Sequence, residues 1–188
     1  MNASSSEESV PSVPVVEKFG LLKDLGTIIV PNEYVHATRL RQYRQTFNTR
    51  QYQIDPNITD HHFSSPTVEL IPGRRLHIIV FQQISFSTTT FKERLAFLQR
   101  RNALLTGAQG AALVLTERSE RLPKEIWKIT SFDCRQALWR DAQGTCWAPS
   151  IQVSRKEGTR FFLSNAHSSW WEDDAFFGFF DADQLVMS

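Results

Sequence analysis

Arg74–Gln83, RRLHIIVFQQ, follows the turn pair Pro72-Gly73 and is apolar on both parities of an extended chain. Leu76, Ile78 and Val80 would line one face of a strand, and Ile79 and Phe81 the other. A strand that is apolar on both faces belongs in the middle of a sheet, with cover on each side. A cover follows directly in the chain. Thr90-Phe91-Lys92-Glu93 has the spacing of a capping box, in which the Thr hydroxyl and the Glu carboxylate reciprocally satisfy free backbone amides at a helix start. Phe91, Leu95 and Leu98 form an apolar stripe, so the spacing predicts one helix over about 90–102 packed on the sheet.

On either side of this unit the chain reads as short strands. Gly26-Thr27-Ile28-Ile29-Val30-Pro31 predicts a strand entering a turn. Leu40, Tyr43 and Phe47 share one helical face, although Thr and Asn weaken a helix between Tyr34 and Arg50. Gly107 to Leu115 predicts a glycine-flanked approach to a buried strand, and Ile126 to Thr130 another strand. A turn at Asp141-Ala142-Gln143-Gly144 would set Arg140 opposite Thr145 and Trp139 opposite Cys146. Strands then run toward Val153, from Thr159 to Leu163 after the turn Lys156-Glu157-Gly158, and from Ala175 to Phe180. No regular βαβ alternation appears, so the expected class is α+β, with a mainly antiparallel sheet. Residues 1–16 are rich in Ser, Glu, Pro and Val and contain Pro11 and Pro14, which predicts a flexible leader before a single domain over 17–188.

Composition narrows the classes. Apolar residues make up 41% and charged residues 22% of the 188, the balance of a globular protein. A formal charge of +1 gives no global pull toward nucleic acid or an anionic membrane. No run approaches the roughly 18 apolar residues of a membrane-spanning helix, and MNASSSEESV lacks a basic segment followed by a hydrophobic one. The expected location is the cytoplasm, away from membranes. Cys134 and Cys146 are the two cysteines, too few for a disulfide scaffold or a cysteine-rich zinc site, and reduced thiols are expected. Fourteen Phe and five Trp against three Tyr, with four of the Trp between Trp139 and Trp171, load the C-terminal third with rings for a core or an interface.

The succession YQIDPNITDHHF, LHIIVFQQIS, STTTFKERLAFLQRRNALLTGAQG and RLPKEIWKITSFDCRQALWRDAQGTCWAPSIQV, closed by Phe-Phe strands, resembles a group of uncharacterised bacterial proteins. The resemblance spans roughly residues 50–180. It implies that this region folds as a unit, and it carries over no activity and no catalytic residue.

Three patches carry chemistry. Asp60, His61 and His62 are good ligand types for zinc or manganese, but an upstream paired-aspartate element is missing and adjacent histidines on an extended chain point to opposite faces. A polar turn capped by Thr59 or Asp60 is the plainer reading. Arg39, Arg41, Arg44 and Arg50, interleaved with Tyr43, Phe47 and Tyr52, pair phosphate-neutralising charge with stacking rings, a pattern for single-stranded nucleic acid or for a solvated helix face. Trp170, Trp171, Glu172, Asp173 and Asp174 put acids beside rings, a pattern for a protein interface. Two adjacent Trp on extended chain cannot both enter one core. Nucleophile motifs are missing: there is no Gly-x-Ser-x-Gly, and Gly107-x-x-Gly110 lacks the Lys-Ser/Thr of a phosphate loop. His36, His61, His62, His77 and His167 are all remote in sequence from either cysteine. The expected function is therefore a non-enzymatic domain that binds a protein partner or a second copy of itself and needs no cofactor. A metal-assisted hydrolase at Asp60, His61 and His62 and a nucleic-acid binder at Arg39 to Arg50 are the alternatives.

Overall fold

The stretch Arg75–Gln83 forms β3 and sits between β1 (Phe19–Ile29) and β8 (Asp174–Asp181), antiparallel to both. This is a computed structural model, which describes residues 17–47, 52–124, 126–154 and 158–185. The leader expected over 1–16 lies outside the described residues. The remaining strands are β2 (Tyr52–Ile54), β4 (Lys128–Thr130), β5 (Trp139–Arg140), β6 (Cys146–Ser154) and β7 (Gly158–Asn165). They complete one sheet in the order β1-β3-β8-β4-β6-β7-β2, with β5 paired to β6. Pairings are antiparallel except β4 with β8 and β2 with β7, so the sheet is mixed with an antiparallel majority.

Both faces of the sheet are covered, as the two-sided apolar pattern of β3 demands. Leu76, Ile78 and Val80, with Ala175, Phe177 and Phe179 of β8, face a core shared with α1 (Arg39–Phe47) and α3 (Gly107–Arg118). Phe81, Phe176 and Phe180 face the opposite core, closed by Phe97 and Leu98 of α2 (Phe91–Arg100). The capping box forms at Thr90 and Glu93, and α2 stops at Arg100 because Asn102 turns left-handed at φ 55. Helix α4 (Ala182–Leu185) follows β8.

Two expectations are corrected. The segment read as a buried strand, Gly107 to Leu115, is α3, and four α-helices rather than one stand among the described residues. All nine residues from Gly107 to Leu115 are buried, so no polar face marks the helical period. The sheet covers one side of α3, and Tyr34, Leu40, Tyr43, Ile58, Phe63 and Leu70 of the excursion between β1 and β3 complete the same core. The hairpin register is also shifted by one: Trp139 faces Trp147 and Arg140 faces Cys146. Asp141 and Thr145 close a three-residue loop, and Gly144 at φ 80 supplies its left-handed residue.

Candidate functional site

Arg94 lies on the same helical face as Phe91, Leu95 and Leu98 and is fully buried. Its guanidinium replaces water with four oxygens: Nε donates to Thr89 Oγ1 (2.9 Å), Nη1 to the Asp174 carbonyl (2.6 Å), and Nη2 to Gln83 Oε1 and the Trp171 carbonyl (both 3.2 Å). The rings of Phe19, Trp170 and Phe176 surround the same cation, Trp170 at 5.2 Å. Burial pulls its pKa down to about 10, against the Asp174 and Glu93 carboxylates, so it stays charged at neutral pH. Arg94 thereby ties together the loop after β3, through Gln83 and Thr89, and the loop before β8, through Trp171 and Asp174. A backbone bridge between Thr89 and Trp170 joins the same two loops. Lys128, at the start of β4, adds an ion pair to Asp174 (3.3 Å) and stands 4.3 Å from the Trp170 ring centre.

These loops leave one end of the sheet, because β3 ends where β8 and the parallel β4 begin. Each presents a ring to solvent: Phe86 after β3 is 99% exposed, Trp127 before β4 55%, and Trp171 before β8 60%. Trp127 is held against the third loop by its amide, which donates to the Asp173 carbonyl (3.1 Å). Ile84 is exposed on the first loop, and Glu172 and Asp173 on the third. Of the five residues expected at an interface, Trp171, Glu172 and Asp173 are therefore on the surface. Trp170 is 0% exposed and Asp174 is buried, so both belong to the core; alternation of an extended chain sends one Trp each way. Sequence reasoning missed Arg94, Phe86 and Trp127. A charge on an apolar helical stripe was the available signal for Arg94, and a ring between two serines was the signal for Phe86.

The Asp60-His61-His62 stretch is a turn whose groups are committed separately. Asp60 caps α1 from 20 positions away, its carboxylate accepting the Leu40 amide (2.9 Å) and the Arg41 amide (3.0 Å). Thr59 Oγ1 accepts the His62 amide, closing the turn as expected of a local cap. The His62 ring stacks on Trp139 with centres 5.0 Å apart and meets the Asn57 carbonyl through Nδ1 (2.8 Å). Among the described residues no group of three or more His, Cys, Asp or Glu side chains is placed to hold a metal ion. The two cysteines are free thiols, Cys146 buried and Cys134 half-buried.

The arginine stretch is likewise spent on structure. Arg39 donates to Thr116 of α3 (3.0 Å), and Arg44 donates to the Asp55, Pro56 and Ile58 carbonyls, pinning the chain after β2 to α1. Tyr43 packs inward against Phe47 and Phe161. Arg41 is exposed, and Arg50 lies outside the described residues. Of this stretch's three arginines among the described residues, Arg39 and Arg44 are thus engaged by the chain's own acceptors.

Among the described residues no helix is long and apolar enough to cross a membrane. The chain matches no protein-family model, no curated protein and no solved structure.

Proposed function

We propose that the chain is a cytoplasmic protein-binding domain that grips a partner with the ring-bearing end of its sheet. The observation that carries this reading is the exposure of Phe86, Trp127 and Trp171 at one end of the sheet, on two loops tied by the buried Arg94 network and a third bonded to them through the Trp127 amide. Large rings on a rigid base lose little conformational freedom on binding, which is why Trp is enriched among the residues that dominate interface energies. Glu172 and Asp173 beside Trp171 favour a partner surface that mixes Lys or Arg with apolar side chains.

Edge pairing offers a weaker route to association. Strand β1 is interrupted by two register shifts and β2 has only three residues, so neither edge presents a long flat template. A second copy of the chain is thus the less favoured occupant of the aromatic end.

Photo-crosslinkers placed at Phe86, Trp127 and Trp171 in cells test the reading. All three are expected to trap one and the same protein, with capture reduced by Glu172→Lys. Crosslinks to scattered proteins, or none, would overturn it, and crosslinks to the chain itself would replace the partner by a second copy. Trp171→Ala is expected to leave urea stability within about 0.5 kcal/mol of the parent, whereas Trp170→Ala costs about 3–5 kcal/mol. An equal loss from both would make Trp171 a packing residue.

A further inference from the structure

A separate cleft of ≈ 410 Å³ opens between the start of α2, the turn before β5 and the loop after β7. Its volume lies within the roughly 300–1,000 Å³ span of small-molecule sites. Phe91 and Leu95 of α2, with Leu138, Cys146 and Ala166, supply an apolar lining. Leu138, Cys146 and Ala166 belong to a small core cluster of their own, onto which Phe91 packs from α2. This lining therefore rests on a packed cluster, with Leu138 and Ala166 supplied by the turn before β5 and the loop after β7. Lys92, Arg135 and His167 are the ionisable lining groups besides the Cys146 thiol, all three are exposed, and no carboxylate lines the cleft. Among the described residues none of the three is in an ion pair, although the neighbouring Glu93 is paired with Lys18. Thr90 and Ser168 add hydroxyls to the lining.

Apolar walls with basic groups and no acid are complementary to one kind of small molecule: an apolar tail ending in an anion. A neutral apolar ligand would leave the unpaired cations unused, and a small inorganic anion would leave the walls wet. We propose that this cleft binds a free acyl carboxylate, its chain against Phe91, Leu95 and Leu138 and its head group held by Arg135 and Lys92. Arg135 offers the planar fork that matches a carboxylate. The site is distinct from the exposed rings of the protein-binding end and does not depend on that reading.

Titration calorimetry of the full chain with hexanoate, octanoate and decanoate, and with neutral decanol, tests the proposal. Affinity is expected to rise by about fourfold for each methylene buried, until the cleft is full. Arg135→Glu is expected to weaken decanoate by at least about tenfold while leaving decanol unchanged. Ser168→Trp, at an exposed lining position, is expected to obstruct the cleft and weaken both. Failure of decanoate to bind the parent chain would overturn the proposal. So would equal binding of decanoate and decanol, or decanoate binding that survives both Arg135→Glu and Ser168→Trp. Circular dichroism of each variant separates a lost site from a lost fold.

Discussion

Arg94 carries a full charge into a place without solvent, and the fold spends two loops on satisfying it. Removing the guanidinium would leave the Asp174 carbonyl without its side-chain donor inside the core, while Gln83 Oε1 would keep only the Thr89 hydroxyl and the Trp171 carbonyl only the Asp174 amide. Arg94→Met is therefore expected to cost at least about 3 kcal/mol in urea unfolding. A loss under about 1 kcal/mol would show that the apolar replacement repacks the site, as some buried ion groups allow. Asp133 poses the opposite problem. Its carboxylate is buried and accepts the amides of Thr67 (3.1 Å) and Cys134 (2.7 Å), yet burial pushes its pKa up to about 6 despite those hydrogen bonds. An unfolded aspartate titrates near about 3.9, so between pH about 4 and 6 the folded chain holds a proton that the unfolded chain releases. The stabilisation is full below that window and is lost as pH rises through it. Asp133→Asn removes this slope: its stability relative to the parent is expected to rise by about 2–3 kcal/mol from pH 4 to pH 7. A constant difference across that range would show that the carboxyl titrates normally.

Helix α3 shows how an element becomes illegible when its surroundings are uniform. A helix with one wet face announces its period, and α3 has none until Thr116. Its small residues let the backbone approach the sheet: a Cβ at Gly110 would lie 3.0 Å from Phe179 and closer still to Thr106. Gly110→Ala is expected to destabilise by about 1–3 kcal/mol, even though Ala favours an isolated helix by about 1 kcal/mol over Gly. Thermal unfolding gives the sign, and a stabilised variant would show that Thr106 and Phe179 yield without cost. Helix α2 is the contrary case, because Thr90, Glu93 and the Phe91, Leu95 and Leu98 stripe are all local signals. The β5–β6 hairpin lies between the two. Asp141 to Gly144 announces a turn, but a four-residue turn and a three-residue loop with a bulge use the same letters and differ by one residue of register.

At the scale of the molecule, one sheet with covered faces leaves its two edges as the places where another chain could add. Lys23 is exposed on β1 between the two register shifts, where charge and irregular pairing both discourage an added strand. Lys23→Val is expected to increase concentration-dependent light scattering without lowering the melting temperature; unchanged scattering would mean that the bulges alone protect the edge.

The sequence by itself determined the α+β class, the central two-faced β3, the capped α2 and the Phe-rich β8, because each depends on neighbours within about ten positions in the chain. It also marked Trp170 and Trp171 as a pair that must divide between inside and outside. Only the tertiary structure decided which Trp faces water, and only it brought Phe86, Trp127 and Trp171 to one end from loops far apart in sequence. Asp60 is the plainest instance: as part of Asp-His-His it suggests a ligand, but its oxygens belong to the amides of α1, a partnership that no local spacing encodes. The same holds for Arg94, whose four acceptors come from two separate stretches of chain, Gln83 to Thr89 and Trp171 to Asp174. Local patterns fix elements because backbone geometry repeats, whereas a site requires remote side chains to converge, and that convergence is set by the packing of the whole sheet.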